Sequence, residues 1–385
     1  MLGTPEMRRA RLADFVARRP DTFVDKRIHP ELEIRDAAAY PLREPVSGRR
    51  YAILRLQSGS GLIGYGECPE LSPEYLVQAA HTLQGKSASA FEVLTRQLES
   101  FPGVQAAANM ALLDLLGKFV SAPVYQVLGG PTRFKARVMT ALEGSTEAEL
   151  LASLRRAQAG GFRAFAVPIP TMTRRDGPHT FAAETRRRLD ALQDAGGEPA
   201  DFVLAGTADL PPGHASELLR ALEHTSLLWF DEPCDSSDLA ALRQIAGAFV
   251  TPLGFGRRTC VSSIYLDLLR EGVADVLRPD LGLNGILPVR RIAALAETYY
   301  VAVAPLHHGG PVATSASLHL AASLPNFFIQ QIPFPAAEED RRMRAELVGT
   351  SVEKVEDGFI KLPEEHGLGI TVNEKALEKY KERAL

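Results

Sequence analysis

The sequence predicts an α/β protein, a (β/α)8 barrel of the TIM type joined to a smaller α+β domain. Three observations lead there. The chain has 385 residues, more than the about 250 that a barrel needs. From about residue 135, eight short apolar runs (137–142, 164–169, 201–204, 227–230, 250–253, 274–277, 301–304 and 327–330) alternate with amphipathic helical stretches such as 148–159, 214–223, 261–271 and 289–298. Strand–helix alternation of this kind implies parallel βαβ units, and eight of them imply a closed barrel rather than an open sheet. Before residue 135 the rhythm differs. Residues 51–57 alternate like a half-buried strand, 58–61 read Ser-Gly-Ser-Gly, and 62–66 return as a second strand, which is the pattern of a hairpin. An Ala/Leu-rich helix follows at 105–120, with an apolar stripe wide enough to pack on that hairpin.

Four segments follow from this division: an N-terminal extension at 1–30, an α+β capping domain at 31–134, the barrel at 135–345, and a C-terminal segment at 346–385 that returns to the capping domain. The extension is polar and mixed in charge. The tail carries one strand signal near 357–363 and a charged helix.

Composition narrows the function. Hydrophobic residues make up 45% and charged residues 23% of the chain, ordinary for a globular protein with a sizeable core. A formal charge of −4 argues against nucleic-acid binding, which rests on neutralising phosphates with Lys and Arg. No segment is long and apolar enough to span a bilayer, and the basic start (Arg8, Arg9, Arg11) leads into no apolar run of a signal peptide. The three cysteines, Cys68, Cys234 and Cys260, stand far apart with no CxxC pair. A reducing cytoplasm is therefore expected.

Barrel enzymes work at the loops after the strand ends, and there the motifs resemble one family. GLIGYGEC at 61–68, ALLDLLGK at 111–118, APVYQVLGG at 122–130, FDEP at 230–233, DG at 357–358 and GLG at 367–369 together resemble the enolase superfamily, in its mandelate-racemase and acid-sugar (galactonate-type) dehydratase branch. The resemblance covers the chain from about residue 32. It implies a Mg²⁺ held by three acidic side chains at the ends of barrel strands three, four and five, which stabilises the enediolate formed when a base removes the proton α to a carboxylate. It also implies lysine bases on strand two and an Asp–His pair on strands six and seven.

Several of those positions are changed. GFRAFAVP at 161–168 puts Ala166 and Pro168 where the lysines would stand, and LAGT at 204–207 puts Ala205 in place of a metal ligand, followed by Thr207. Glu232 is kept as the one matching ligand. PLGFGR at 252–257 puts Arg257 where the third acid belongs. RPD at 278–280 keeps Asp280 behind Arg278, APLHH at 304–308 offers His307 and His308 one register step away, and Gln331 replaces a strand-eight acid.

A hard Mg²⁺ needs oxygen ligands and tolerates a neighbouring cation poorly, so no cofactor is expected although the resemblance implies Mg²⁺. Arg257 is expected to fill the vacated region and fork onto Glu232. His307 and His308 are both candidates for the base that pairs with Asp280; at most one of the two adjacent side chains faces the barrel mouth, and a one-residue shift would bring His307 inward. His179 and His214 are expected at the surface, and Cys234 as an inert thiol.

Three functions stay open. The first is a binder of a small carboxylate or sugar acid through Arg257, Glu232, Arg278 and Thr207, without the metal-assisted step. The second is an active dehydratase or racemase/epimerase, a lyase or isomerase, on a rebuilt metal-independent site of Asp280, His307 and Arg257. The third is a structural or assembly role. The resemblance also implies a homo-oligomer.

Overall fold

The computed structural model describes residues 29–69, 73–172, 177–207, 209–260, 262–349 and 351–382. The expected extension at 1–30 lies almost wholly outside them.

Three strands, β1 (Ile34–Arg43), β2 (Arg50–Ser58) and β3 (Ile63–Cys68), form an antiparallel meander. The helix Pro102–Phe119 lies across it. Its approach is close because β3 supplies glycines: a Cβ on Gly66 would stand 1.8 Å from the Ala107 carbonyl oxygen, and one on Gly64 2.2 Å from that of Ala111. The buried Asp114 on this helix then joins three segments. Its carboxylate accepts from the Tyr65 amide at 2.9 Å, the Leu368 amide at 2.8 Å and the Lys118 ammonium at 2.8 Å.

The barrel strands are β4 (Lys135–Ala141), β5 (Ala164–Pro168), β6 (Asp201–Ala205), β7 (Phe230–Asp231), β8 (Leu253–Phe255), β9 (Val276–Leu277), β10 (Ala302–Val303) and β11 (Gln330–Gln331). They pair in parallel in the order β10-β9-β8-β7-β6-β5-β4-β11. Parallel bridges Val303–Phe327 and Leu306–Gln331 bring β11 back to β10 and close the ring. All eight expected runs supply a strand, and helices between them cover the outside. The helix Glu147–Ala159 shows how sharply such a helix can start: Thr146 accepts from the Glu149 amide at 3.3 Å, and the Glu149 carboxylate accepts from the Thr146 amide at 3.0 Å, a capping box.

Inside the ring, Met139, Ala164, Ala166, Val203, Trp229, Val276, Ala304 and Ile329 form a compact buried cluster. A larger apolar shell lies between the strands and their helices. Each fully buried large side chain contributes about 1.5–3 kcal/mol of transfer free energy.

The tail divides in two. β12 (Phe359–Lys361) pairs antiparallel with the first half of β4, at the barrel's base. The helix Glu374–Tyr380 packs on β1, and Glu374 accepts from Arg55 at 3.0 Å and Tyr65 at 3.1 Å. Only this second part returns to the three-stranded sheet, so the expected return of the whole segment is corrected for β12.

Candidate active site at the barrel mouth

The strand ends converge at the mouth, and the residue after β7 sets its geometry. Glu232 adopts φ 52°, a left-handed backbone uncommon for a side-chain-bearing residue. Beyond this kink its Oε1 accepts two amides of the β8 loop, Gly256 at 2.8 Å and Arg257 at 3.0 Å. Burial raises the Glu232 pKa, and the neighbouring Asp231 charge adds to the rise. Gly206 lets the neighbouring loop approach: a Cβ there would be 2.4 Å from the Glu232 carbonyl oxygen.

Arg257 turns toward a different acid from the one expected. Its Nε lies 2.9 Å from Asp231 Oδ2, and its Nη2 donates to the Gly206 carbonyl at 2.7 Å. The expected fork onto Glu232 is therefore corrected: the guanidinium pairs with Asp231, and only the Arg257 backbone amide reaches Glu232. The physical reason is strand alternation: Trp229 lies in the inner cluster and Phe230 in the outer shell, so Asp231 points inward, while the left-handed Glu232 carries its own carboxylate to the β8-loop amides.

A second guanidinium shares Asp231. Arg278 is 0% exposed. It donates through Nε to Asp231 at 3.3 Å and through Nη1 to the Ala304 carbonyl at 2.7 Å, bonds Gln331 through Nη2, and lies 5.0 Å over the Trp229 ring. With its donors engaged and no surface open, Arg278 cannot touch a ligand, which corrects its expected binding role. Ala166 is buried in the barrel core, and Ala205 ends β6. Pro168 closes β5 and Thr207, half-buried, follows β6.

On the other side of the mouth, Asp280 caps the short helix Leu281–Asn284, accepting from Gly282 at 2.7 Å and Leu283 at 3.3 Å. Burial pushes its pKa up to about 7 against those two hydrogen bonds. The imidazole facing it belongs to His308, with Nε2 4.0 Å from Asp280 Oδ2. His307 points away, 1% exposed, with Nε2 3.2 Å from Thr314 Oγ1, so of the two candidates it is His308 that lies beside Asp280. The His308 side chain is 66% accessible. Partial desolvation, then the like charges of Arg257, Arg49 and Arg278, lowers its pKa to about 4.

Two mouth residues escaped the sequence reading. Asp231 reads as a strand residue beside a motif Glu, and only its pairing with Arg257 and Arg278 shows its role. Arg49 lies in the β1–β2 turn, and its guanidinium contacts Glu44 and Glu143 at 3.9 Å each. No local pattern marks it. Cys234 is buried with its thiol pushed up to about 12, and His179 is exposed beside Glu217 at 3.0 Å.

The donor set tests the metal that the resemblance implies. A methyl group stands at 205. A guanidinium bonded to Gly206 stands at 257. The one matching carboxylate, Glu232, already gives an oxygen to two amides. Among the described residues no cluster of three His, Cys, Asp or Glu is arranged to hold an ion. These residues do not fit a hard divalent cation.

An eight-stranded parallel barrel capped by an antiparallel sheet, with Glu232, Asp280 and His308 at its mouth, defines the class as a capped (β/α)8 barrel. The model described as Enolase C-terminal domain-like matches residues 149–376, more than half of the chain, and the protein belongs to this family. It is 29% identical over 348 residues to a D-galactonate dehydratase of Variovorax paradoxus, covering 85% of this chain and 90% of the relative. It is 26% identical to a D-gluconate dehydratase of Thermoproteus tenax, covering 91% and 73%. A mandelate racemase/muconate lactonizing enzyme structure from Sulfitobacter superposes with a TM-score of 0.80 at 26% identity, covering 91% of this chain and 96% of that one.

Proposed function

We propose that this protein binds a small carboxylate of the sugar-acid class at the barrel mouth and does not perform the family's Mg²⁺-assisted α-proton abstraction. The observation that carries the reading is the Arg257 guanidinium, anchored at 2.9 Å to Asp231 and at 2.7 Å to Gly206, in the region where the family's ion would stand. Removing a proton beside a carboxylate creates a dianionic enediolate, and one fixed cation already neutralised by Asp231 stabilises it poorly. The base positions on strands two and seven are empty or weak, which leaves Asp280 as the remaining acid–base group. Ala166 and Pro168 carry no amine, and an imidazole whose conjugate acid has a pKa of about 4 is a poor proton acceptor at neutral pH. The sugar-acid class comes from the relatives named as D-galactonate and D-gluconate dehydratases.

The test is a library of sugar acids incubated with the protein in Mg²⁺ and in EDTA, scored for turnover and for ligand-induced thermal shift. The expected result is a shift with one or more acids, equal in both buffers, and no product. Mg²⁺-dependent dehydration or epimerisation overturns the reading. The 4.0 Å approach of His308 to Asp280 favours one second reading, a metal-independent dehydratase or epimerase, which would appear as turnover in EDTA that His308→Asn abolishes. Absence of any shift would instead favour a structural role. A homo-oligomer, proposed from the resemblance alone, is checked by light scattering, and a cytoplasmic location, proposed from the three dispersed cysteines, by cell fractionation.

A further inference from the structure

Asp231 stands between two guanidiniums, and its surroundings define what it does there. The side chain is 1% exposed, with Oδ2 2.9 Å from Arg257 Nε and 3.3 Å from Arg278 Nε. Gly254 on β8 makes the room: a Cβ there would be 2.8 Å from Asp231 Oδ1 and 2.5 Å from Trp229 Cδ1. Arg278 is held on its other sides by the Ala304 carbonyl, Gln331 and the face of Trp229. It is fixed in place, and it fixes Asp231.

Arg257 comes from the loop after β8 and is held differently. Among the described residues its side chain has two polar anchors, Asp231 and the Gly206 carbonyl at 2.7 Å. They lie at the ends of different strands, β7 and β6, and hold different nitrogens, Nε and Nη2. Together they set the direction of the side chain and the plane of its fork, and they leave Nη1 without a protein partner.

A carboxylate beside two cations can serve in two ways. It can offset charge, for which many placements would do, or it can orient one cation for a ligand, for which the placement matters. Three features favour orientation. One acid facing two guanidiniums leaves positive charge over. The Gly206 carbonyl adds a direction to Arg257 and no charge. Asp231 is itself pinned by an arginine that has no surface open to a ligand. An arginine that grips a ligand loses rotamer freedom, and prior anchoring removes that loss from the binding step.

We propose that Asp231 is a positioning residue: held by Arg278, it presets the Arg257 fork for an incoming carboxylate. This deepens the carboxylate-binding reading above and rests on it.

The two roles predict different signs. Asp231→Asn removes the charge and keeps the shape, whereas Asp231→Glu keeps the charge and moves the carboxylate by one methylene. The experiment is calorimetric titration of the full chain with galactonate and gluconate, for the parent, both variants, Arg257→Met, and Asp231→Asn combined with Arg257→Met. A positioning role weakens binding in both Asp231 variants by roughly tenfold, the worth of about one charge-assisted contact, although Asp231→Asn makes the site more positive. Tighter binding in Asp231→Asn with unchanged binding in Asp231→Glu marks an acid that only offsets charge, and overturns the proposal. The combined variant reads the coupling: once Arg257 is gone, Asp231→Asn should cost no further affinity. An equal cost in both backgrounds marks general damage to the site and also overturns it. Asp231→Glu leaves both guanidiniums a carboxylate and carries the test if Asp231→Asn does not fold. If the parent binds neither acid, the carboxylate reading falls and this one with it, a failure seen before any variant is made.

Discussion

Two groups of buried carboxylates in this molecule are built on opposite terms. In the scaffold, Glu67 accepts the amides of Gly310, Val312 and Ala313 at the start of the helix Pro311–Ser323, and Asp114 ties Tyr65, Lys118 and Leu368 together. These oxygens are fully engaged, and by segments far apart in the chain. At the mouth, Asp231 Oδ1 is buried without a partner while its other oxygen faces two guanidiniums. Asp280 meets His308 only at 4.0 Å. The scaffold oxygens have their partners, whereas Asp231 keeps one oxygen unmet while the other lies between two guanidiniums. Fold and site draw on different side chains.

The largest expected effect sharpens the scaffold side. Arg344, 1% exposed, bonds Glu44 at 2.8 Å, Glu353 and the Gly309 carbonyl at 3.1 Å, and so clamps the β1–β2 turn to the barrel. Arg344→Met leaves two carboxylates without their cation and is expected to cost about 3–5 kcal/mol, read as a lower urea midpoint at unchanged m-value. The exposed Arg163–Asp357 pair, also at long sequence range, is expected to give below about 1 kcal/mol on Arg163→Gln. Similar losses from both would erase the distinction between buried and surface pairs.

The mouth side is tested by putting the acids back. Ala205→Asp combined with Arg257→Glu supplies the two missing carboxylates beside Glu232. Without metal, crowding of four acids is expected to lower stability. Mg²⁺ in about hundredfold excess over its dissociation constant should then return roughly 2.7 kcal/mol, a rise of a few degrees in melting temperature for a chain of this size. The parent should not respond. A parent that gains stability from Mg²⁺ breaks the comparison at its centre.

Much of this was legible in the sequence, for reasons that also mark its limits. The eight apolar runs located the barrel because period and spacing are local signals, although the paired portions of β7, β9, β10 and β11 are only two residues each, shorter than the apolar runs that lead into them. The residues at 166, 168, 205 and 257 could be read only against the order of the family motifs, which is where the expectation of an exchanged site comes from. The partner of Arg257 was not, since the left-handed turn that sends the Glu232 carboxylate to backbone amides is announced by nothing in composition. The choice of His308 over His307 depended on the Asp280–Leu306 bridge, a register set in three dimensions. Arg49 met Glu143 across 94 positions in sequence, beyond any pattern.

A smaller effect separates two mouth residues by pH. The Asp280 pKa of about 7 lies above the ~3.9 of an unfolded aspartate. The folded chain therefore holds the extra proton between those values, and this group's contribution to stability falls as pH rises from about 4 to about 7. Glu67, also raised to about 7 by burial, acts in the same direction. His308 acts oppositely: with a folded pKa of about 4 against ~6.5 unfolded, its contribution rises with pH over that interval. Asp280→Asn should thus gain on the parent as pH climbs, by about 1 kcal/mol or less per unit, and His308→Asn should lose. Denaturation midpoints at pH 5, 6 and 7 measure both slopes, and parallel profiles for the two variants would contradict the assigned signs.

The smallest effect is one of order rather than size. Cys260 is exposed, while Cys68 and Cys234 are buried. Burial holds the Cys234 thiol at about 12 and raises Cys68 well above its usual value, so neither offers thiolate at neutral pH. A disulfide reagent should label Cys260 at once. The later order then reports which region opens more easily, because a buried thiol reacts only through local or global unfolding. Cys234 follows the Glu232–Pro233 turn in a mouth loop, whereas Cys68 ends β3 with its S–H directed at the Ala52 carbonyl at 3.8 Å, beneath the helix Pro102–Phe119. Opening a loop costs less than lifting that helix from its sheet, so Cys234 is expected to react second and Cys68 only with global unfolding. Cys68 reacting before Cys234 would place the weaker packing in the scaffold and invert the contrast between the two regions.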